Sequence, residues 1–274
     1  NAVLGFLNII FKIIDEENPT NVCVAFDVKQ PTFRHLVYKE YKGTRKPMPD
    51  DLAVQVGMLK ELLHSMNIAM CEKEGFEADD LVGTLSHKFS DVKSIIITGD
   101  KDSYQLIDEY TDVYLTKTGV SDLLKLTSEN FVRQIGYEPC RVIDMKALMG
   151  DSSDNIPGVP GIGEKTAFLL VSKYGDLNTI YEHLEEIGGS VRTKLENGKD
   201  SAYLSKKLAT IDRNVPLDIE LDECAVRMPF SQEVRAQFLQ LEFTSLLKMD
   251  IFEDPTEKAL PLVSQKTAEL SVVQ

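Results

Sequence analysis

The hydrophobic pattern divides the chain in two. In the first part, short apolar runs alternate with stretches of helical period. Val22–Asp27 and Ser94–Thr98 are apolar runs of strand length that end in, or lead into, acidic residues. Ile68–Cys71 and Val113–Thr116 read as shorter strands. Residues 2–16, Asp51–Met66 and Glu77–Phe89 read as helices, and Leu52, Val56, Leu59, Leu63 and Met66 recur along one helical face. Tyr104–Leu106 reads as the start of a short helix. Strands alternating with helices predict a mostly parallel α/β sheet covered on both faces. Such sheets bind ligands beyond the carboxyl ends of their strands, where Asp27 and Asp100 fall.

After about residue 126 the period is helical throughout: Ser128–Gly136, Cys140–Met149, Glu164–Tyr174, Leu177–Leu184, Ser190–Glu196, Ala202–Ile211 and Gln232–Leu241. Gly136 and Gly175 stand where helix C-terminal caps belong. The predicted organisation is an α/β core over residues 1–126, a helical subdomain over 127–250, and a linker or tail over 251–274. The apolar opening run, broken by Asn8 and Lys12, is too short to span a bilayer and lacks the basic start of a signal peptide. A chain that opens at Asn1 in mid-helix reads as a piece of something longer.

The net charge is −14, which by itself argues against a nucleic-acid partner. Its distribution changes that picture. Asp27, Glu77, Asp79, Asp80, Asp100, Asp102, Asp151 and Asp154 all stand at strand ends, helix starts or tight turns. Each small group alone is explained by helix capping or a solvated turn. Gathered at one sheet edge, they would repel one another unless cations neutralised them. Oxygen ligands without His or Cys select Mg²⁺ or Mn²⁺. Two such ions roughly 4 Å apart clamp the attacking and leaving oxygens of phosphoryl transfer. The four cysteines and four histidines are scattered, which predicts no zinc site and fits a reducing cytoplasm.

Lys29, Arg34, Lys39, Lys42, Arg45 and Lys46 crowd one stretch with Phe33, Tyr38 and Tyr41 interleaved, and only Glu40 opposes them. Basic groups for phosphates beside aromatic faces for bases suit a single-strand binder; a solvated charged loop is the plainer alternative. From Met149 to Ala167, the acids Asp151 and Asp154 run into a Pro/Gly hairpin, Pro157–Gly163, and then a helix start. A glycine turn at a helix N-terminus suits phosphate.

With these residues in view, the chain resembles the 5′ nuclease domain of bacterial DNA polymerase I, in the flap-endonuclease family of the wider PIN-like fold. The matching pieces are residues 25–35, 38–49, 75–88, 98–106, 150–167 and 204–217, in the family's order and spacing. The resemblance implies a PIN-like sheet flanked by helices, followed by a helical subdomain with a helix-hairpin-helix motif. It implies that all eight carboxylates above hold metal, directly or through water, with two or more Mg²⁺ or Mn²⁺ ions. It makes residues 28–49 a mobile helical arch over a 5′ single strand, where Lys42 and Arg45 meet the scissile phosphate with Arg34 and Tyr41 nearby. It makes Gly158, Gly161, Ile162, Gly163, Lys165 and Thr166 a duplex-gripping hairpin, with K⁺ on the hairpin carbonyls. The implied activity is 5′–3′ exonuclease and flap endonuclease action by a two-metal mechanism in replication and repair. The implied partners are DNA with a 5′ end or flap and RNA primer–DNA hybrids, for a monomer whose parent carries polymerase domains. One family piece has no counterpart: an opening strand with an Asp-Gly-Asn-like turn. Its absence predicts a sheet lacking an inner strand, and keeps open a non-catalytic branched-DNA binding module as alternative. A phosphatase of small phosphoesters is a further one, though it has no use for hairpin or basic stretch.

Overall fold

The structure, a computed structural model, describes residues 2–116, 123–252 and, for the backbone, 269–273. Six strands form one sheet: β1 (Asn21–Ala25), β2 (Ala69–Cys71), β3 (Lys93–Thr98), β4 (Thr111–Thr116), β5 (Leu123–Leu126) and β6 (Glu269–Val273). Their order is β2-β1-β6-β3-β4-β5. All neighbours are parallel except β4 and β5.

β6 overturns two expectations. Residues 251–274 were expected to be a linker or tail, and the sheet was expected to lack an inner strand. Instead Glu269–Val273 lies between β1 and β3, parallel to both, with Cys23 opposite Val272 and Ile96 opposite Val272 on the other side. A five-residue segment with no helical period gives no sign of this in sequence, because its ladder partners are far away along the chain.

Each face of the sheet is covered. On one face, α1 (Ala2–Glu17) and α3 (Asp50–Ser65) bury Leu7, Ile10, Phe11, Leu62 and Leu63 against Val22, Val24, Ile95 and Ile97. On the other, α4 (Ala78–Lys88), buried along Leu81, Val82 and Leu85, packs on Cys23, Ile96 and Val113. The alternation Ile95 and Ile97 to one face, Ile96 to the other, is the period-2 geometry of a strand buried on both sides. Cys23, Cys71 and Cys224 meet in this core as free thiols, and their mutual hydrogen bonds push the Cys23 thiol up.

The helical part is smaller than expected. Its own core runs from Met145 to Ala202, on α6 (Val142–Met149), α7 (Glu164–Tyr174), α8 (Leu177–Glu182), α9 (Gly189–Asn197) and α10 (Lys199–Ala209). The expected boundary at 250 does not hold. Ile211, Val215 and Cys224 pack under the sheet with α4, and the helix Gln232–Gln240 buries Val234 and Phe238 against α1 and α3. The apolar face of that helix finds its cover on the first half of the chain, which sequence period alone cannot show.

Candidate metal and phosphate site

The carboxyl ends of β1 and β3 point to the place where strand order reverses, the usual ligand crevice of an open α/β sheet. Asp27 follows β1, Asp100 and Asp102 follow β3, and Glu77, Asp79 and Asp80 open α4. The turn after α6 brings Asp151 and Asp154 to the same edge, closed by paired backbone bonds between Asp151 and Ile156.

These acids do not form one pool. Among the described residues, no three His, Cys, Asp or Glu side chains converge closely enough to hold a single ion. They converge in pairs, each pair on one cationic side chain. Lys146 Nζ donates to Asp102 and, at 2.5 Å, to Asp151. Lys42 Nζ donates to Glu77 Oε1 at 2.7 Å and lies 3.9 Å from Asp154 Oδ2. The Tyr41 hydroxyl closes that second pair, donating to Glu77 Oε2 at 3.0 Å and Asp154 Oδ2 at 3.3 Å. Arg45 adds a further ion pair to Asp154.

The electrostatics follow from depth. Burial lifts the Asp102 carboxyl to about 6, with Asp100 adding to the rise and Lys146 opposing it. Asp151 shares the same ammonium but is half-exposed, so Lys146 and Ser153 overcome burial and hold it at about 2. Burial and the two carboxylates push the Tyr41 hydroxyl far up, which keeps it a neutral donor.

The donor set fits a hard divalent cation. Every donor is a carboxylate oxygen, and each pair is bridged by a lysine ammonium, with Arg34 and Arg45 adding charge at the Glu77–Asp154 pair. Asp102 with Asp151, and Glu77 with Asp154, are the residues that would hold it.

Three of the eight expected ligands hold protein groups instead. Asp80 is fully buried and saturated: it accepts both Arg34 terminal nitrogens at 2.7 Å, Glu77 N at 3.0 Å and Asp212 N at 2.8 Å. No lone pair remains for a metal. Asp27 Oδ1 accepts from Ala78 N at 2.7 Å, capping α4 from outside. Asp100 caps the turn Lys101–Leu106 through Asp102 N. Asp79 sits buried in the first turn of α4.

Residues 28–49 also differ from expectation. They form one five-residue helix, α2 (Phe33–Val37), and a series of turns rather than a helical arch. The stretch is tied to the acidic turn: Lys42 N–H donates to the Asp154 carbonyl at 2.8 Å, and Asn155 Nδ2 to the Glu40 carbonyl at 2.7 Å. Lys42 pays for this with a left-handed backbone, φ +54°. Arg34, expected near substrate, is 2% exposed and donates to Asp80 and to the Leu208 and Thr210 carbonyls. Tyr41 is 3% exposed and faces the acids rather than solvent.

In the hairpin, Gly158 is structural rather than a backbone-gripping group. Its N–H donates to Ser205 Oγ at 2.9 Å and its carbonyl accepts from Ser201 Oγ at 2.6 Å. At φ +63°, a Cβ there would lie 2.3 Å from Gly150 N. Gly158→Ala is therefore expected to cost at least ~2 kcal/mol, measured by denaturant unfolding, because the clash is with backbone. Ile162 is buried in the helical core. Gly161, Gly163 and Lys165 are exposed, Thr166 is half-buried, and Gly163 caps α7 without a side-chain hydrogen bond. The first-turn N–H groups of α7 therefore have no side-chain cap. The Gly161 carbonyl, one of the hairpin carbonyls among which K⁺ was expected, accepts from Lys194 Nζ at 3.0 Å.

Lys146 went unnoticed in sequence. The signal was a lysine in the otherwise apolar face of Val142–Met149, five residues before Asp151.

Comparison with known proteins matches this geometry to a family. The model described as 5′-3′ exonuclease, N-terminal resolvase-like domain, matches residues 1–136. That described as 5′-3′ exonuclease, C-terminal SAM fold, matches residues 137–232. The chain is 44% identical to DNA polymerase I of Caldicellulosiruptor bescii over 90% of its own length and 30% of that protein. It is 40% identical to DNA polymerase I of Bacillus subtilis over 97% of its length and 31% of that protein. The chain thus spans about three-tenths of the curated relatives it matches. Among solved structures, it superposes on T5 5′-exonuclease with bound zinc at TM-score 0.66 and 19% identity, covering 90% of this chain and 91% of that one. The catalytic core of Rad2 in complex with DNA substrate gives TM-score 0.60 at 19% identity, covering 91% and 85%. These likenesses show the fold. The chain belongs to the 5′-3′ exonuclease family.

Proposed function

We propose that this member of the 5′-3′ exonuclease family is a Mg²⁺-dependent, structure-specific nuclease acting on 5′ ends and 5′ flaps of DNA, and on RNA primers paired to DNA, as the 5′ nuclease part of a DNA polymerase I. The observation that carries the reading is the pair of carboxylate clefts at the sheet edge, each closed on a single ammonium, one turn of chain from an uncapped helix N-terminus. Divalent cations held there supply Lewis-acid stabilisation of phosphoryl oxygens and lower the pKa of water.

The chain's own residues do the rest. The first turn of α7, with Lys165, holds duplex backbone through N–H groups and charge, without reading sequence. Lys42 and Arg45 lie over the Glu77–Asp154 pair and exchange those carboxylates for the scissile phosphate. Both then stabilise negative charge as it develops on the phosphoryl oxygens. The Asp151–Ile156 turn joins the Asp102 cleft to the hairpin, so its length sets where the cut falls relative to the duplex end.

The test is cleavage of a 5′-flap substrate with Mg²⁺ and with EDTA. Lys42→Ala should lower turnover about a hundredfold while flap affinity changes less than threefold. Equal losses in both would move Lys42 from catalysis to docking. Hydrolysis of a small phosphomonoester with no flap cleavage would sink the nuclease reading.

A further inference from the structure

Two short segments meet beside the Glu77–Asp154 pair: Glu40–Arg45 of the basic stretch and Ser153–Ile156 of the turn after α6. The basic stretch donates to the turn from Lys42 N–H to the Asp154 carbonyl at 2.8 Å, from Arg45 Nε to the Ser153 carbonyl at 3.3 Å, and from the Tyr41 hydroxyl to Asp154 Oδ2 at 3.3 Å. Arg45 adds its ion pair to Asp154. Among the described residues, one bond runs the other way, from Asn155 Nδ2 to the Glu40 carbonyl at 2.7 Å. Tyr41, Ile156, Leu208 and Ala209 form one buried apolar cluster at this seam.

The Glu40 carbonyl is also the one that closes the turn carrying Lys42. It accepts from Gly43 N–H at 2.9 Å, which makes Glu40–Gly43 a four-residue turn. The third residue of that turn, Lys42, has φ +54°, a left-handed conformation that glycine or asparagine takes readily and lysine does not. Such a turn keeps its shape only where its neighbours hold it. That shape carries Lys42 Nζ to 2.7 Å from Glu77 Oε1. It also sets Arg45, whose N–H donates to the Lys42 carbonyl at 3.0 Å, against Asp154. Asn155 itself stands at φ +55°. Asparagine or glycine would satisfy the backbone there, and asparagine adds the N–H that Glu40 accepts. We infer that Asn155 is a positioning residue: its amide locks the Glu40–Gly43 turn and thereby aims Lys42 and Arg45 at the Glu77–Asp154 pair. The kinetic consequence rests on the nuclease reading of Lys42 and Arg45; the locking of the turn does not.

Two variants test this. Asn155→Gly keeps the left-handed backbone and removes the amide. Asn155→Asp keeps the shape and sets an acceptor against the Glu40 carbonyl. In EDTA without DNA, exchange of the Lys42 and Gly43 amide hydrogens, followed by nuclear magnetic resonance, should quicken about three- to tenfold in both variants, as loss of one hydrogen bond does. The Gln134 amide of α5 (Phe131–Ile135), a helix outside both segments, donates to the Asn130 carbonyl at 3.1 Å and should keep its rate. On a 5′-flap substrate with Mg²⁺, kcat should fall by about the same three- to tenfold while flap Kd changes less than about twofold. Unchanged exchange in both variants overturns the inference, as does quicker exchange with the parent's kcat. A matching rise at Gln134 in both variants marks general loosening and also overturns it. If the parent cleaves no flap, the nuclease reading fails alone, and the exchange rates still decide whether Asn155 locks the turn.

Discussion

Arg34→Ala should unfold far more easily than the parent, by about 3–5 kcal/mol, the range for stripping one partner from a buried ion pair. The guanidinium ties two segments to α2: Asp80 at the start of α4, and the Leu208 and Thr210 carbonyls at the end of α10. Its removal leaves a carboxylate with no exposure facing two unpaired carbonyls. Against a typical total of about 5–15 kcal/mol, that is a large share. It corresponds to a fall of roughly 10 °C or more in midpoint for a chain of this size. Arg34→Lys keeps the charge but not the fork, and should fall between. The double variant Arg34→Leu with Asp80→Leu should recover at least ~2 kcal/mol relative to the sum of the single changes, because neither charge is then stranded. The opposite result is as clear. An Arg34→Ala protein with the parent's midpoint and weakened flap binding would make Arg34 the substrate contact that the family resemblance implies.

Arg34 also shows what a sequence carries and what it withholds. Elements whose ends and faces are encoded locally were legible. Glu164–Tyr174 is bounded by Gly163 and Gly175, and the structure begins and ends the helix at those residues. The run Ile95–Ile97 is apolar on both faces, so a buried strand was the natural reading. Elements completed by distant partners were not legible. β6 is five residues long and acquires its meaning only between β1 and β3. The helix Gln232–Gln240 shows its period but not that α1 and α3 cover it. The same divide runs through the site. Residue chemistry named the carboxylates and basic groups as candidates. It could not say that Asp80 spends all its lone pairs on Arg34, 46 positions earlier, or that Glu77 and Asp154 share Lys42 and Tyr41. Pairing is a property of the folded edge, and spacing along the chain does not determine it.

Pairing also dictates how the Asp102–Asp151 cleft responds to losing its ammonium. Lys146→Met keeps most of the apolar stem but leaves two carboxylates facing each other, one of them 8% exposed. In EDTA, this variant should lose about 3 kcal/mol, the lower end of the cost of a stranded buried charge, because Asp151 is partly solvated. A divalent cation then replaces the missing charge without first displacing a tethered one. Added Mn²⁺ at about a hundred times its Kd restores about 2.7 kcal/mol, so the variant in Mn²⁺ should return close to the parent's midpoint. The parent, whose lysine competes for the same oxygens, should gain visibly less at the same Mn²⁺ concentration, and its Mn²⁺ Kd should be at least about tenfold weaker than the variant's. Thermal unfolding with EDTA or Mn²⁺ and Mn²⁺ titration followed by electron paramagnetic resonance read these effects without reference to cleavage. Equal Mn²⁺ gains in both proteins would show that the ion sits elsewhere, and would remove Asp102 and Asp151 from the metal site together.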